Sequence, residues 1–180
     1  MNAKERLIIY IDGSNLYFKL KKLQISNTSK FNYRGLCDFL AKNQILDSIN
    51  YYVGALQKES NNSKGDKIRY GQNTLFNNLN KQKILLHKGY LMKNNGVYHE
   101  KGVDVNIAVD LLVGAYENKY DTALLISSDT DLIPAILKIK SLGKKLQYIG
   151  FKHAPSTALK NYATFFRLLT KKELQPFIKK

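Results

Sequence analysis

"LLISSDTDLIP", residues 124–134, begins as an unbroken apolar run, halts at two serines, and then sets Asp129 and Asp131 one residue apart. An apolar run without polar alternation is the mark of a strand buried on both faces. Pro134 falls where a following helix would have its first turn, a position that tolerates proline. "RLIIYI", residues 6–11, is a second run of the same kind, and it breaks at Asp12 in "DGSN". Two buried strands therefore each end on a carboxylate, in a chain whose acidic residues are the minority charge.

Working outward, strands alternate with helices. Ser14 or Asn15 can cap a helix to about residue 23. A polar loop, "QISNTSK", precedes a short helix over 33–42, and 48–56 reads as a strand. "QKESNNSKGDK" reads as a polar loop. The apolar spacing of Ile68, Leu75 and Leu79 predicts a helix over 67–82, followed by a strand over 83–91. Asn95-Gly96 signals a small hairpin. A strong helix is predicted over 103–119, a strand over 122–127, and a helix from Asp129 to a Gly143 C-cap. "KKLQYIGF" is a further strand and "PSTALKNYA" a short helix. "FFRLL" reads as a last strand or edge segment, and "KKELQPFIKK" as a basic tail. Apolar strands alternating with helices imply an α/β fold with a central, mostly parallel sheet covered on both faces. The functional crevice of such a sheet lies beyond the carboxyl ends of its strands.

The 180 residues suit one domain, 1–180, with a core large enough to need no staples. No apolar run is long enough to cross a membrane, and the amino-terminal run is too short for a signal peptide before it meets Asp12. The expectation is a cytoplasmic protein with no membrane partner. Cys37 is the single cysteine, which argues against disulfides and a cysteine zinc site and for a small core residue. Lys and Arg number 29 against 14 Asp and Glu, a net charge of +15. Such an excess favours polyanions, nucleic acid foremost. The basic residues are nearly all lysine, which compositional drift would also explain; drift accounts less well for the charge excess itself.

Asp104, in "EKGVDV", opens the strong helix, where free N–H groups favour negative charge. Asp110 lies six positions on and does not share its face. Asp12, Asp104, Asp129 and Asp131 thus converge on one predicted crevice. Ionised together they repel one another unless a cation joins them, and hard oxygen donors select Mg²⁺ or Mn²⁺. A basic protein with an acidic pocket fits phosphodiester cleavage, since such a cation activates water and stabilises displacement at phosphorus. Taken singly, Asp129 or Asp131 also reads as a helix N-cap and Asp12 as a turn residue. Asn15 reads either as a cap or as a contact to phosphate or water. Ser127 and Ser128 read as satisfying backbone groups, with Ser128 a substrate contact if the crevice binds one. Lys101 is a substrate-binding candidate beside the pocket helix, and Glu100 reads as a solvated turn residue. Lys19, Lys64, Lys67, Lys101 and Lys152 flank strand ends or loops and are candidate phosphate contacts. His87, His99 and His153 lack metal-ligand spacing. No glycine-rich phosphate loop is present. An aspartyl-phosphate phosphatase would want an acid at Ser14, and a receiver domain would want paired acids on the first strand.

"IIYIDGSNLY", "EKGVDVNIAVDLLVGA" and "ALLISSDTDLIPAI" together resemble the three signature blocks of NYN-domain proteins, within the PIN-like nuclease superfamily, in the family's order. "PSTALKNYATFF" is similar to the family's closing segment. The resemblance implies a PIN-like three-layer fold and metal-dependent endoribonuclease chemistry on single-stranded or structured RNA. It places Asp12, Asn15, Asp104, Asp129 and Asp131 at the family's motif positions, and Asp110 at a further one with a supporting role. The alternative it leaves is a regulatory nucleic-acid-binding module without turnover. A homo-oligomer is left open.

Overall fold

The computed structural model describes residues 4–56 and 63–178. Seven strands form one sheet in the order β4-β3-β2-β1-β5-β6-β7. They are β1 (Arg6–Asp12), β2 (Ile45–Ala55), β3 (Leu85–Asn94), β4 (Val97–Lys101), β5 (Thr122–Ile126), β6 (Lys145–Phe151) and β7 (Phe165–Leu169). All neighbouring pairs are parallel except the β3–β4 hairpin. That hairpin turns at Asn95 and Gly96, whose φ values of 47° and 76° are the positive pair a tight two-residue turn demands. "FFRLL" is thereby settled as a true edge strand.

Seven helices flank the sheet among the described residues: α1 (Gly13–Lys22), α2 (Tyr33–Ala41), α3 (Ser63–Lys81), α4 (Val103–Tyr116), α5 (Ile133–Ser141), α6 (Thr157–Tyr162) and α7 (Lys171–Leu174). Residues 57–62 of the expected polar loop lie outside the described residues, and the helix after it starts at Ser63, earlier than its apolar spacing predicted. No described helix is long and apolar enough to cross a membrane.

Each central strand feeds two cores, because side chains alternate across the pleat. Leu7, Ile9 and Ile11 join α1, α2 and α7 on one face; Ile8 and Tyr10 join α4, α5 and α6 on the other. Every one of these strand residues is at most 5% exposed, so no polar face survives on β1. Full burial of such a side chain contributes about 1.5–3 kcal/mol, which holds β1 and β5 at the centre. Cys37 is fully buried in the first core, as a small hydrophobe.

Two local expectations are corrected. The first helix is capped by Asp12, not by Ser14 or Asn15: its carboxylate accepts the Asn15 N–H at 2.9 Å, so the turn starts at Gly13. A side chain at Gly13 would stand 2.3 Å from the Tyr51 ring, so glycine is what lets this helix start sit against β2. The second correction is the basic tail. Thr170 and Glu173 form a capping box for α7, and Arg167 pairs with Glu173 at 2.8 Å. Phe177 then packs at 6.3 Å from Phe31 and 5.8 Å from Phe39, and its carbonyl accepts the Asn32 N–H at 2.8 Å. Lys171 and Lys172 face water while Leu174 and Phe177 close the first core.

Candidate active site

The strand order reverses at β1: the chain builds outward through β2 and β3, then returns to add β5 on the other side. Ile11 pairs with Ile126, so Asp12 and the Ser127-Ser128-Asp129 turn emerge side by side at this switch point. Asp12 is buried, and both its oxygens are held. Asn15 N–H donates to Oδ1, and the Ser127 hydroxyl donates to Oδ2 at 2.8 Å. Ser127 Oγ in turn accepts the Asp129 N–H at 3.0 Å, tying the two strand ends together. Asp129 caps the 3-10 turn Thr130–Leu132, with Oδ1 accepting the Asp131 N–H at 2.9 Å. The cap occupies one oxygen and leaves the second available, so the capping reading and the functional reading coexist in one side chain.

Asp104 lies in the first turn of α4, after Gly102 at φ 81°. Its carboxyl is held above the ordinary range by burial first, then by Asp129, Glu100 and Asp131. Asp12 is pushed up to about 6, by burial first and further by Asp104 and Glu100, against the lowering effect of its two hydrogen bonds. Five carboxylates therefore feel one another across the crevice. Among the described residues no Lys, Arg or His reaches any of the five within ion-pair distance.

Glu100 is the member that reading the sequence missed. It is not a solvated turn residue but a half-buried position on β4, where the Ser14 hydroxyl donates to Oε2 at 2.9 Å and the Gly54 N–H donates to the same oxygen. The alternation of "VYHEK" carried a faint signal, since it sets Tyr98 and Glu100 on one face of a strand. Ser128 behaves differently from Ser127: its Oγ is buried and has no hydrogen-bond partner. Among the described residues the Asn15 amide group and the exposed Lys101 ammonium make no hydrogen bond or ion pair.

Of the other candidate lysines, Lys19 donates to the Ala154 carbonyl at 2.7 Å and so serves the loop after β6. Lys67 and Lys152 are exposed, and the Lys64 side chain lies outside the described residues. Asp110 stands apart from the crevice, as its helical offset from Asp104 required. Its Oδ2 accepts the Tyr52 hydroxyl at 2.8 Å and lies 3.4 Å from His87 Nδ1, while His87 Nε2 meets Asn50 Oδ1 at 2.9 Å. This network braces α4 against β2 and β3.

The donor set suits a hard divalent cation: it is all carboxylate oxygen and it is crowded with like charge. Among the described residues no three His, Cys, Asp or Glu side chains already close around one point. Mg²⁺ does not require such a closed set, since it keeps several waters and takes only one or two carboxylates directly.

Comparison with known proteins agrees with this architecture. The chain is similar to a crystal structure of a protein of unknown function, VPA0982 from Vibrio parahaemolyticus, with a TM-score of 0.72, 22% identity, and coverage of 95% of this chain and 96% of that one. It also matches the uncharacterized protein MJ0482 of Methanocaldococcus jannaschii, 41% identical over 63 residues, which is 35% of this chain. That match spans only 26% of the archaeal protein's length. The NYN domain family matches residues 6–169, from the first residue of β1 to the last of β7. The protein belongs to the NYN-domain family and has its PIN-like nuclease fold.

Proposed function

We propose that this protein is a metal-dependent endoribonuclease that hydrolyses phosphodiester bonds of RNA, with Mg²⁺ or Mn²⁺ held by Asp12, Asp104, Asp129 and Asp131. The observation that carries this reading is the convergence of unpaired carboxylates on one strand-end crevice of a protein whose net charge is +15. A basic surface draws the polyanion in, and only a cation makes the acidic centre compatible with a phosphate. When bound, such an ion supplies an activated water and Lewis-acid stabilisation of the reacting phosphate. The chain's own residues present that centre. Asn15 N–H and the Ser127 hydroxyl fix the Asp12 carboxylate, and Ser127 also sets the turn that carries Asp129. Burial and crowding make Asp12 and Asp104 more basic than isolated carboxylates, hence better proton acceptors. In this reading the Ser128 hydroxyl, the Asn15 amide and the Lys101 ammonium contact substrate oxygens. Glu100 positions Ser14 and β2 at the rim.

The test is incubation of a circular RNA with the protein in Mg²⁺ or Mn²⁺ and in EDTA. Linearisation that requires the metal and disappears in Asp129→Asn is the expected result. An RNA that stays intact while bound would favour the alternative, a regulatory nucleic-acid-binding module without turnover.

A further inference from the structure

Beside the carboxylates lies a cavity of about 590 Å³ between α1, α3 and the β3–β4 hairpin, and the reaction outlined above makes no use of it. We propose that this cavity is a nucleobase pocket, which seats one unstacked base of a single-stranded RNA next to the crevice. The inference rests on the reading of the crevice as an RNA site.

The cavity is continuous with the acidic centre, because Ser14 and Glu100 line it and are joined by their own hydrogen bond of 2.9 Å. Its walls are aromatic and apolar. Tyr17 and Phe18, on the outward side of α1, remain 41% and 59% exposed, and Tyr98 faces the same space from β4. Aromatic faces left open beside a phosphate-cleaving centre are stacking platforms that accept any base. Cations stand beside two of these rings. Lys21 holds its ammonium 6.0 Å from the Tyr17 ring centre, and Lys93 stands 5.9 Å from that of Tyr98. Neither forms an ion pair among the described residues, so both are available to phosphates flanking a stacked base. That charge complementarity favours a nucleotide over an apolar peptide or lipid chain. Among the described residues the Ser26 and Thr28 hydroxyls, which line the cavity, have no hydrogen-bond partner and can meet the polar edge of a base.

One lining position leaves room for a larger side chain. Gly71 sits within α3 on the face shared by Ile68, Gln72 and Leu75, all of which line the cavity. Glycine is the poorest helix former after proline, and a Cβ added at Gly71 would meet nothing within 4 Å. The position thus costs helix stability while leaving volume free. A base enters such a pocket only when it is unpaired, so the pocket selects single strands over duplexes.

The experiment measures binding of a fluorescent RNA of about ten nucleotides, and of its blunt duplex, in EDTA at fixed salt, so that no cleavage is read. Wild type is expected to prefer the single strand. Tyr17→Ala removes a wall and Gly71→Leu narrows the cavity; each should weaken single-strand binding about tenfold and leave duplex binding unchanged. Tyr116→Ala, at an exposed ring on α4, should change neither. Because leucine favours a helix over glycine, Gly71→Leu should melt no lower than wild type, which separates pocket loss from misfolding. Single-strand affinity within about twofold of wild type in both variants overturns the proposal, as does equal loss on duplex, or a wild type that binds no RNA. A protein that shows this binding pattern but cleaves nothing in Mg²⁺ or Mn²⁺ would leave the pocket standing and remove the nuclease reading alone.

Discussion

Asp12→Asn tests whether the centre is a strained functional site or a structural one. The asparagine is close to isosteric, it caps a helix as well as aspartate, and the Ser127 hydroxyl can rotate to accept from its amide. Only the charge is lost. The wild-type carboxyl is pushed from 3.8 to about 6 by burial and by Asp104 and Glu100. The folded protein therefore holds this proton more tightly than the unfolded chain. Stability from the group is full below about pH 4 and is lost as pH rises through about 6. At about 1.4 kcal/mol per pH unit, the ionised form costs about 3 kcal/mol at neutrality. Asp12→Asn should raise the unfolding free energy by roughly that amount at about pH 7.5, and by about half of it at about pH 5. The assay is urea denaturation in EDTA at both pH values. Asp121 and Glu173, each held down to about 2 by an arginine, do not interfere, because their contribution is lost only as pH falls below about 4. Millimolar Mn²⁺ should raise the wild-type melting temperature and leave the variant unmoved, while RNA cleavage falls at least about a hundredfold in the variant. A variant no more stable than wild type, with the same difference at both pH values, would refute the claim that Asp12 is held ionised against its surroundings.

Three further outcomes are expected. Asp129→Asn retains the cap over Asp131, so its melting temperature should match wild type; metal-dependent cleavage should fall at least about a hundredfold and RNA binding should hold or tighten, measured side by side. Glu100→Gln keeps an acceptor for the Gly54 N–H and Ser14 hydroxyl and should fold normally, whereas Glu100→Ala strands the Gly54 N–H and should cost about 1–3 kcal/mol in urea denaturation. Phe177→Ala should destabilise by about 3 kcal/mol, because the ring seals the core against Phe31 and Phe39; an unchanged denaturation midpoint would mean that the carboxyl-terminal segment does not dock in solution.

The residues themselves determined the α/β architecture and the aspartates that end its central strands. Both are local properties: an apolar run without alternation names a doubly buried strand, and the first acid after it marks where that strand leaves the core. Asp12 and Asp129 were legible as strand ends for that reason, Asp104 was read instead from the start of α4, and helical geometry set Asp110 apart from it. What only tertiary structure decided depends on pairing distant segments. Ser127 reaches Asp12 across 115 residues, and Glu100 reaches Gly54 across 46, so neither the shared hydroxyl nor the fifth carboxylate has a local pattern. The cavity is likewise assembled from α1, α3 and a hairpin that meet only in the fold. The last segment misled for the opposite reason. Its lysines dominate any local window, while the two residues that dock it, Leu174 and Phe177, acquire meaning only from the aromatic gap that Phe31 and Phe39 leave for them.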